Sequence, residues 1–182
     1  AAAAAAAAAA PAAEASLYDH HGAHAEMEEF LLCLGDKIAL QGWDKYKGGL
    51  DVRNNTTGTH AVYTTFHALQ IVFHVAPFIP FTDGDVQQVE RKRHIGNDIV
   101  VIVFRESGAP PFDPSVIKSH FNMVFLVVTP VKARSGTTHY HVALASNDSI
   151  KAFGPALCDP PIYRKDARFR EMVLAKLINA ER

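Results

Sequence analysis

The chain has too few cysteines for a fold held together by disulfides or by thiolate-bound metal. It contains two, Cys33 and Cys158, in unrelated contexts and without the spacing of metal ligands. A reduced, intracellular setting is the simplest interpretation, and we expect the protein to be cytoplasmic. No apolar stretch approaches the ~20 residues that a membrane-spanning helix needs, so we expect no direct membrane span.

The chain also has almost no net charge. With 18 basic and 19 acidic residues, the formal charge at pH 7 is -1, so no overall field draws the chain to nucleic acid or to a membrane surface. Any attraction for a polyanion must be local, and Arg91, Lys92 and Arg93 form a dense basic cluster. Nucleic-acid binding through this cluster would need a wider basic surface, which the near-neutral composition does not support.

What the chain does have is the composition of a globular protein, 48% hydrophobic and 20% charged over 182 residues, which suits one domain. Its first residues differ, because residues 1–10 are all alanine and are followed by Pro11, Ala12 and Ala13. This run lacks the basic start and the strongly apolar middle of a signal peptide. We therefore assign residues 1–24 to a low-complexity leader or placeholder without a function, and residues 25–182 to one folded domain.

The pattern of apolar residues predicts a single α/β domain in which helices flank a central mixed sheet. Helical spacing predicts one helix over residues 26–34 and another over residues 166–181. Thr82 or Asp83 is expected to cap a further helix that runs to about Ile95. Runs of β-forming residues predict about six strands, over residues 37–40, 60–66, 69–75, 99–104, 123–128 and 138–145.

Two local signals refine this outline. His67 and Ala68 are expected to form the turn of a hairpin between the strands over residues 60–66 and 69–75. Asp83 and Asp85 resemble a pair of catalytic carboxylates, but capping of the predicted helix start explains both residues.

The histidines do not predict a metal site. His20, His21 and His24 lie in the assigned leader, and His139 and His141 share one face of a predicted strand, where two histidines can bind a metal. No Cys, Asp or Glu nearby completes a ligand set around the strand pair. We therefore expect ordinary histidines and no metal.

The densest group of chemically capable side chains lies in residues 87–98, directly before the predicted strand over residues 99–104. On a helix, Arg93 and Asn97 are four residues apart and share a face, which presents a cation and then an amide. The carboxamide of Asn97 both donates and accepts hydrogen bonds, so it can hold a water molecule and an oxyanion together. The ordinary alternative is a solvated helix end with a Gly-Asn C-cap.

Three further residues shape this segment. Gly96 permits a tight local backbone and the close approach of a partner surface. His94 lies on a neighbouring helix face, and Asp98, four residues later, is placed to fix the orientation of the His94 ring.

Residues 91–100, which read RKRHIGNDIV, and the IVF of residues 102–104 resemble the signature of the Rap GTPase-activating protein (Rap/Ran-GAP) domain family. That family includes Rap-directed and Ral-directed activators, the signal-induced proliferation-associated proteins and tuberin. The resemblance covers the chain from about residue 26 to its C-terminus. Further stretches resemble family landmarks in the same order: GGLD at 48–51, TGT at 57–59, VYT at 62–64, FHV at 73–75, FGP at 153–155 and LINAE at 177–181.

The resemblance implies a fold like that of a small GTPase, but the chain has no GxxxxGK[ST] loop. We therefore expect no cofactor of its own and no independent nucleotide hydrolysis, because the partner GTPase carries GTP and Mg²⁺. Many activators insert an arginine finger into the GTPase, whereas this family is known for inserting an asparagine, the asparagine thumb. Family members usually continue into further helix, so we expect the domain to be truncated at Arg182.

The roles of individual residues follow from their positions in the resemblance. Asn97 matches the catalytic asparagine, and His94 is implied as a second catalytic residue that braces the helix or the geometry of Asn97. Asp98 is expected to orient the helix end. The residues implied in GTPase binding are Lys92, Arg93, Asp98, His74 and Arg91.

The partner implied by the resemblance is a small GTPase. Ile95 and the residues after Asp98 place the chain closer to the Rap-directed branch, so a Rap-type GTPase is expected, with Rheb and Ral as alternatives. A non-catalytic module that only docks a GTPase is another alternative, against which the presence of Asn97 argues. Recruitment to membranes through the GTPase or other domains, and a homodimer formed through regions absent from this chain, are further expectations of the resemblance.

Overall fold

The strands of the domain pair into one mixed sheet. The computed structural model describes residues 2–8 and 14–182 of the chain. Its strands are, in chain order, β1 (Ala2–Ala8), β2 (Asp36–Ala39), β3 (His60–Phe66), β4 (Leu69–Val75), β5 (Val100–Arg105), β6 (Val124–Lys132), β7 (Thr138–Ser146) and β8 (Ile162–Arg164). They lie in the order β2-β3-β4-β1-β5-β6-β7-β8, so the predicted α/β class with a mixed sheet is confirmed.

The centre of the sheet is parallel and its two margins are antiparallel. β1 pairs in parallel with β4 and β5, and β5 pairs in parallel with β6. The pairs β2-β3, β3-β4, β6-β7 and β7-β8 are antiparallel. β5 is buried from Val100 to Phe104. A strand that is covered on both faces has an unbroken apolar sequence, which is why β5 could be predicted.

β3 and β4 form the predicted hairpin. Phe66 pairs with Leu69, and the two residues between them, His67 and Ala68, have φ values of 47° and 62°. Positive φ at both central positions matches the twist of the flanking strands. Neither residue is glycine, so the alternating strand pattern, and not the turn chemistry, carried this prediction.

Two helices cover one face of the sheet, α1 (Ala25–Leu34) and α3 (Ala167–Ala180). Phe30 of α1 lies 5.5 Å from Phe104 and 6.4 Å from Phe169 between ring centroids. Full burial of one such side chain contributes about 1.5–3 kcal/mol, so apolar packing is the main force on this face. The β5 residues in this cluster are Val100, Ile102 and Phe104.

The opposite face of β5 is covered by a short helix, α2 (Val89–Ile95), and by the segment that precedes α1. Successive strand residues point to opposite faces, so the side chains of β5 divide between this cluster and the one under α1 and α3. The residues packed together here include Leu17, Tyr18, Ile95, Val101 and Val103.

The segment assigned to a leader contributes to the fold. β1 comes from the alanine run and lies between β4 and β5, and Leu17 and Tyr18 are buried. Alanine is a poor strand former, so composition gave no signal for β1. Residues 1 and 9–13 of the predicted leader lie outside the described residues. The division of the chain at residue 24 stays a prediction.

Helix α2 begins later than the sequence predicts. A cap at Thr82 or Asp83 is wrong, since the first helical residue is Val89. The carboxylate of Asp85 accepts hydrogen bonds from the backbone N–H groups of Gln87 and Val89, at 3.0 and 2.8 Å. An aspartate that captures nearby N–H groups offers the backbone an alternative to helix, and the segment before Val89 forms turns instead.

The other predicted elements differ from the structure mainly at their ends. One further strand, β8, was not predicted; its three residues pair with β7 at His139–His141. Among the helices in the described part of the chain, none is both long enough and apolar enough to cross a bilayer.

Candidate functional site

An open cleft of about 420 Å³ lies on the same face of the sheet as α2. The end of α2, strand β4 and the loop before Leu50 form its walls. It brings together every predicted site residue except Arg91 and Lys92. The residues that line it are Tyr46, Gly48, Gly49, His74, Arg93, His94, Asn97 and Asp98.

Asn97 is exposed just beyond the last turn of α2. Its side-chain nitrogen, Nδ2, donates a hydrogen bond to the backbone carbonyl of Arg93 at 2.7 Å. Because that carbonyl only accepts, the bond identifies which end of the carboxamide is the nitrogen. The carboxamide oxygen has no hydrogen bond to any residue that the structure describes, and it is therefore free to accept one from outside the domain.

Gly96 is required for the tight end of α2. Its N–H donates to the carbonyl of Lys92 at 2.7 Å, and a Cβ at this position would lie 2.6 Å from the same oxygen. That distance is a backbone clash that no side-chain movement relieves. Gly96 therefore allows the chain to leave the helix directly into Asn97.

The ring of His74 joins three segments of the cleft. It is 5% exposed; its Nδ1 lies 2.9 Å from Asp98 Oδ2, and its Nε2 lies 2.8 Å from the carbonyl oxygen of Gly48. Both neighbours are acceptors, so both ring nitrogens must donate, and the geometry is that of an imidazolium. We call this arrangement of His74, Asp98 and Gly48 the His74 clasp.

The electrostatics of the clasp agree with its geometry. Burial by itself opposes a positive charge on His74, but the hydrogen bond and the negative charge of Asp98 outweigh it. With further help from the carbonyls of Gly48 and His94, the pKa of His74 is raised above its ordinary value. The clasp is therefore a buried ion pair in which the charges and the donors are matched.

His94 has a different electrostatic environment. It is half-buried, and its ring meets that of His74 edge-on with 5.4 Å between centroids. Burial, followed by the positive charges of His74 and Arg93, lowers the pKa of His94. The predicted contact between Asp98 and His94 is wrong, because the Asp98 carboxylate bonds to His74 instead. Asp98 is 7% exposed and so supports the helix end from inside.

Arg93 is the exposed cation at the cleft. Its side chain is 61% exposed and pairs with Glu90 at 2.9 Å. An exposed pair of this kind contributes about 0–1 kcal/mol, so Glu90 does not hold the guanidinium away from a partner. Lys92 points elsewhere: its ammonium donates to Glu14 at 3.1 Å and to Gln87 at 2.6 Å.

Arg91 does not belong to the exposed surface. It is 1% exposed, and its guanidinium donates to the backbone carbonyls of Ile79, Tyr18 and His20 at 3.0, 2.6 and 2.6 Å. The expected contact of Arg91 with a GTPase is therefore not supported by its position. Arg91 fixes α2 to the N-terminal segment of the domain.

Sequence reasoning missed two residues that hold the end of α2 from the loop before β6. Ser119 donates to the carbonyl of Gly96, and Asn122 donates to the carbonyls of Ile95 and Asp98. These contacts are 23 to 27 residues apart in sequence. No local pattern announces them, because a single polar residue in a loop is the most ordinary of signals.

The site as a whole differs from an enclosed small-molecule pocket. A small-molecule pocket is mostly apolar and encloses its ligand, whereas this cleft is open and lined mainly by polar residues. In the described part of the chain, no three His, Cys, Asp or Glu residues are grouped so that they could hold a metal ion.

Comparison with known proteins identifies the family. The Rap/ran-GAP family model matches residues 18–182, so the chain belongs to the Rap/Ran-GAP family. The resemblance found in the signature of residues 91–100 is thereby confirmed.

Curated relatives agree with this assignment. The chain is 44% identical over 168 residues to GTPase-activating Rap/Ran-GAP domain-like protein 3 of Gallus gallus, with 91% of this chain and 18% of the relative covered. Its identity to the protein of the same name from Homo sapiens is 46% over 157 residues, covering 85% and 15%. Its identity to signal-induced proliferation-associated 1-like protein 1 of Mus musculus is 43% over 168 residues, covering 92% and 9%. The chain therefore spans 9 to 18% of the length of these relatives.

A solved structure supports the fold. The chain resembles the structure of the TSC2 GAP domain with a TM-score of 0.83 and 26% sequence identity. The superposition covers 99% of this chain and 94% of that chain. The architecture described above is therefore that of a GAP domain over its whole length.

Proposed function

We propose that this domain stimulates GTP hydrolysis by a small GTPase of the Rap type, and that Asn97 is the residue it inserts into the GTPase. The observation that carries the proposal is the position of Asn97. Its neutral carboxamide is exposed at the end of a helix whose preceding residues are fixed by buried polar contacts. Membership of the Rap/Ran-GAP family supports the general activity.

The chemistry asked of Asn97 is the orientation of the attacking water. Phosphoryl transfer in GTPases depends on positioning and on electrostatic stabilisation, and a residue supplied by an activator can be worth about 10³–10⁵ in rate. A carboxamide oxygen can accept a hydrogen bond from the water while its nitrogen donates to an oxygen of the transferred phosphoryl group. Asn97 can do both, because only one of its two N–H groups is engaged by Arg93.

The residues around Asn97 have separate roles in this proposal. Arg93, as the exposed cation of the cleft, contacts an acidic or phosphate-bearing surface of the GTPase. His94, which packs against His74, braces the helix end. The His74 clasp fixes the loop at Gly48 against the helix end, so that the GTPase meets a preformed surface.

The partner provides the nucleotide. The GTPase brings GTP and Mg²⁺, and the domain adds only side chains. The Rap type is the partner we favour over Rheb and Ral, because Ile95 and the residues after Asp98 resemble the Rap-directed branch. The printed name of one group of relatives, Rap/Ran-GAP domain-like protein 3, agrees with this choice. The cytoplasm, where small GTPases carry out signalling, is the location that we propose.

The test is single-turnover GTP hydrolysis by Rap, Rheb and Ral, measured with this chain and with its Asn97→Ala variant. We expect the chain to accelerate hydrolysis by Rap most, and Asn97→Ala to lose at least about a hundredfold at saturation. Asn179→Ala is the matched control, since it removes an exposed asparagine that bonds to the carbonyl of Gly154 on the α3 side.

Each outcome decides one part of the proposal. If the chain accelerates none of the three GTPases, the activator function fails, and tight binding without acceleration then identifies a non-catalytic docking module. If Asn97→Ala keeps the full rate, the role of Asn97 fails even though activation is real. A stronger effect on Rheb or Ral than on Rap overturns the choice of partner.

A further inference from the structure

The end of α2 is held by a loop that lies outside the signature of residues 91–100. This loop, residues 119–122, lies between β5 and β6, directly before β6. Its polar side chains meet the backbone of residues 95–98, which contain Asn97. We call these two side chains, Ser119 and Asn122, the loop donors.

Asn122 is the buried member of the pair. It is 7% exposed, and Nδ2 donates to the carbonyl of Ile95 at 2.9 Å and to the carbonyl of Asp98 at 2.5 Å. An amide nitrogen has two N–H groups, so both are used. The two carbonyls lie on either side of Asn97, and Asn122 therefore holds the backbone before and after the residue that is presented to the GTPase.

The oxygen of the same carboxamide shows what this side chain contributes. Asn122 Oδ1 is buried and has no hydrogen-bond partner among the residues described. A buried polar atom without a partner costs stability, so an asparagine here is not favoured by satisfaction of all its groups. Its structural contribution is the pair of donors that point at the helix end.

Ser119 completes the contact. Its hydroxyl donates to the carbonyl of Gly96 at 2.5 Å and accepts from the N–H of Phe121 at 3.1 Å. The last carbonyls of a helix have no partner within the helix. With Ser119 and Asn122 in place, the carbonyls of Ile95, Gly96 and Asp98 all receive donors from the loop.

Helix α2 needs such external support. It has seven residues, whereas isolated helices shorter than about 12–15 residues are marginal in water. Asn97 follows the helix and is exposed, so the backbone around it determines where its carboxamide points. A functional side chain must be held within about 0.5 Å of the productive geometry to act efficiently.

We propose that Asn122, assisted by Ser119, is a positioning residue for Asn97: its two N–H groups set the backbone direction from which the carboxamide is presented. This inference rests on the proposed function of Asn97. Asn122 itself is buried, so it offers almost no surface to a partner. Its loss should therefore reduce the rate of hydrolysis in the complex and leave the affinity for the GTPase nearly unchanged.

The experiment compares the wild-type chain with Asn122→Leu, which has similar size but no donors, and with Asn122→Gln, which restores the amide. Single-turnover hydrolysis is measured with GTP-loaded Rap as the concentration of the chain is raised to saturation. Asn122→Leu should lower the saturated rate by about tenfold to a hundredfold, with a half-saturating concentration close to that of wild type. Asn122→Gln should recover part of the rate, and Ser119→Ala should lose less than Asn122→Leu.

A second measurement needs no GTPase. The side-chain NH₂ signal of Asn97, assigned in ¹⁵N spectra through its disappearance in Asn97→Ala, reports the hydrogen bond from Nδ2 to Arg93. In Asn122→Leu this signal should shift or broaden because the backbone around Asn97 is released. If wild type activates no GTPase, the proposed function fails, and this signal still decides whether Asn122 positions Asn97.

A stability control separates positioning from general damage. Val173→Ala opens a cavity in the α3 core, far from α2, and lowers the melting temperature without touching the loop donors. A saturated rate that falls as much in Val173→Ala as in an equally destabilised Asn122→Leu overturns the inference. So does a wild-type rate together with an unchanged Asn97 signal in Asn122→Leu. If Asn122→Leu does not fold, the same two readouts in Ser119→Ala decide, and wild-type values there overturn it.

Discussion

Helices α2 and α3 lie on opposite faces of the same sheet and are held there by different forces. α3 has 14 residues, and its buried side chains are almost all apolar. α2 has seven residues, of which Arg91 and Ile95 are buried. α2 has few apolar contacts and is held mainly by hydrogen bonds. Arg91 donates to three backbone carbonyls, and the loop donors bond to the C-terminal end of the helix.

The difference explains where the candidate site lies. Apolar burial is non-directional, so it does not by itself fix the direction in which a helix presents a polar side chain. A hydrogen bond requires a distance and an angle, and a buried group that loses its partner costs about 1–3 kcal/mol. Polar contacts therefore suit the role that we propose for α2, which is to present one carboxamide in one direction.

The largest effect on stability should come from the apolar helix. Leu174 of α3 is 0% exposed, so Leu174→Ala should lower the free energy of unfolding by about 2–5 kcal/mol. The saturated rate of GTP hydrolysis should stay within about twofold at temperatures where the variant is folded, because distant sites behave independently. Urea denaturation and single-turnover hydrolysis measure the two quantities. A large loss of rate in the folded variant would contradict the separation of the two helices.

The polar helix should show the opposite balance. Arg91→Met removes the donors to Ile79, Tyr18 and His20, and should lower the free energy of unfolding by about 2–4 kcal/mol. Unlike Leu174→Ala, it should also lower the saturated hydrolysis rate, because α2 loses its attachment. Arg93→Met is the matched control, since an exposed substitution should change stability by no more than about 0.5 kcal/mol. Equal destabilisation by the two substitutions would show that Arg91 is not the anchor.

The His74 clasp should make the free energy of unfolding depend on pH. The pKa of His74 is raised in the fold, so its protonation stabilises the fold fully below about pH 6.5, the ordinary value for an unfolded chain, and this contribution is lost as pH rises through the folded-state pKa. The lowered pKa of His94 acts in the opposite sense, so a His94→Gln background isolates His74. In that background the free energy of unfolding should fall as pH rises above the ordinary histidine value of about 6.5 and through the raised pKa of His74.

The control for this measurement is His74→Gln combined with His94→Gln. It has no imidazole at either position, and its free energy of unfolding should fall less over the same pH range. Parallel pH profiles in the single and double variants would mean that the imidazolium of His74 does not stabilise the clasp.

The smallest effect should come from the exposed cation. Arg93→Ala should weaken binding of the GTPase by a few-fold, about 0.5–1 kcal/mol, because a rim charge acts through a solvated contact. The saturated hydrolysis rate should stay at the wild-type value, and the difference in affinity should shrink as salt is raised. Titration of Rap with each chain at two salt concentrations gives both results. A loss confined to the rate at saturation would assign Arg93 to the chemistry instead.

Elements with a clear apolar pattern could be predicted from the sequence, whereas helix α2, next to the candidate site, could be predicted only in part. β5 and α3 have apolar patterns long enough to identify them. α2 does not, because its start depends on Asp85, whose carboxylate competes with the helix for backbone N–H groups. β1 was not predicted because alanine is a poor strand former and the pairing partners of β1 lie about seventy or more residues away in sequence.

The residues of the candidate site could also be predicted only in part from the sequence. Asn97, His94 and Arg93 were predicted together because they lie in one short signature. The structure places them at one cleft, and their roles stay predictions. Arg91 was predicted to contact a GTPase, but it is buried. The sequence distinguishes poorly between an exposed arginine and one that donates to buried carbonyls. Asn122 was missed because its hydrogen bonds join residues that are 24 to 27 positions apart in sequence, which no local pattern encodes.

The central position of β1 also determines the distance between β4 and β5. β1 separates β4, which carries His74, from β5, which begins two residues after Asp98. Neighbouring strands lie about 4.8 Å apart, so the two strands that flank β1 are held about 9.6 Å apart across the sheet. Strand pairing uses main-chain groups, so this distance between β4 and β5 does not depend on which residues form β1.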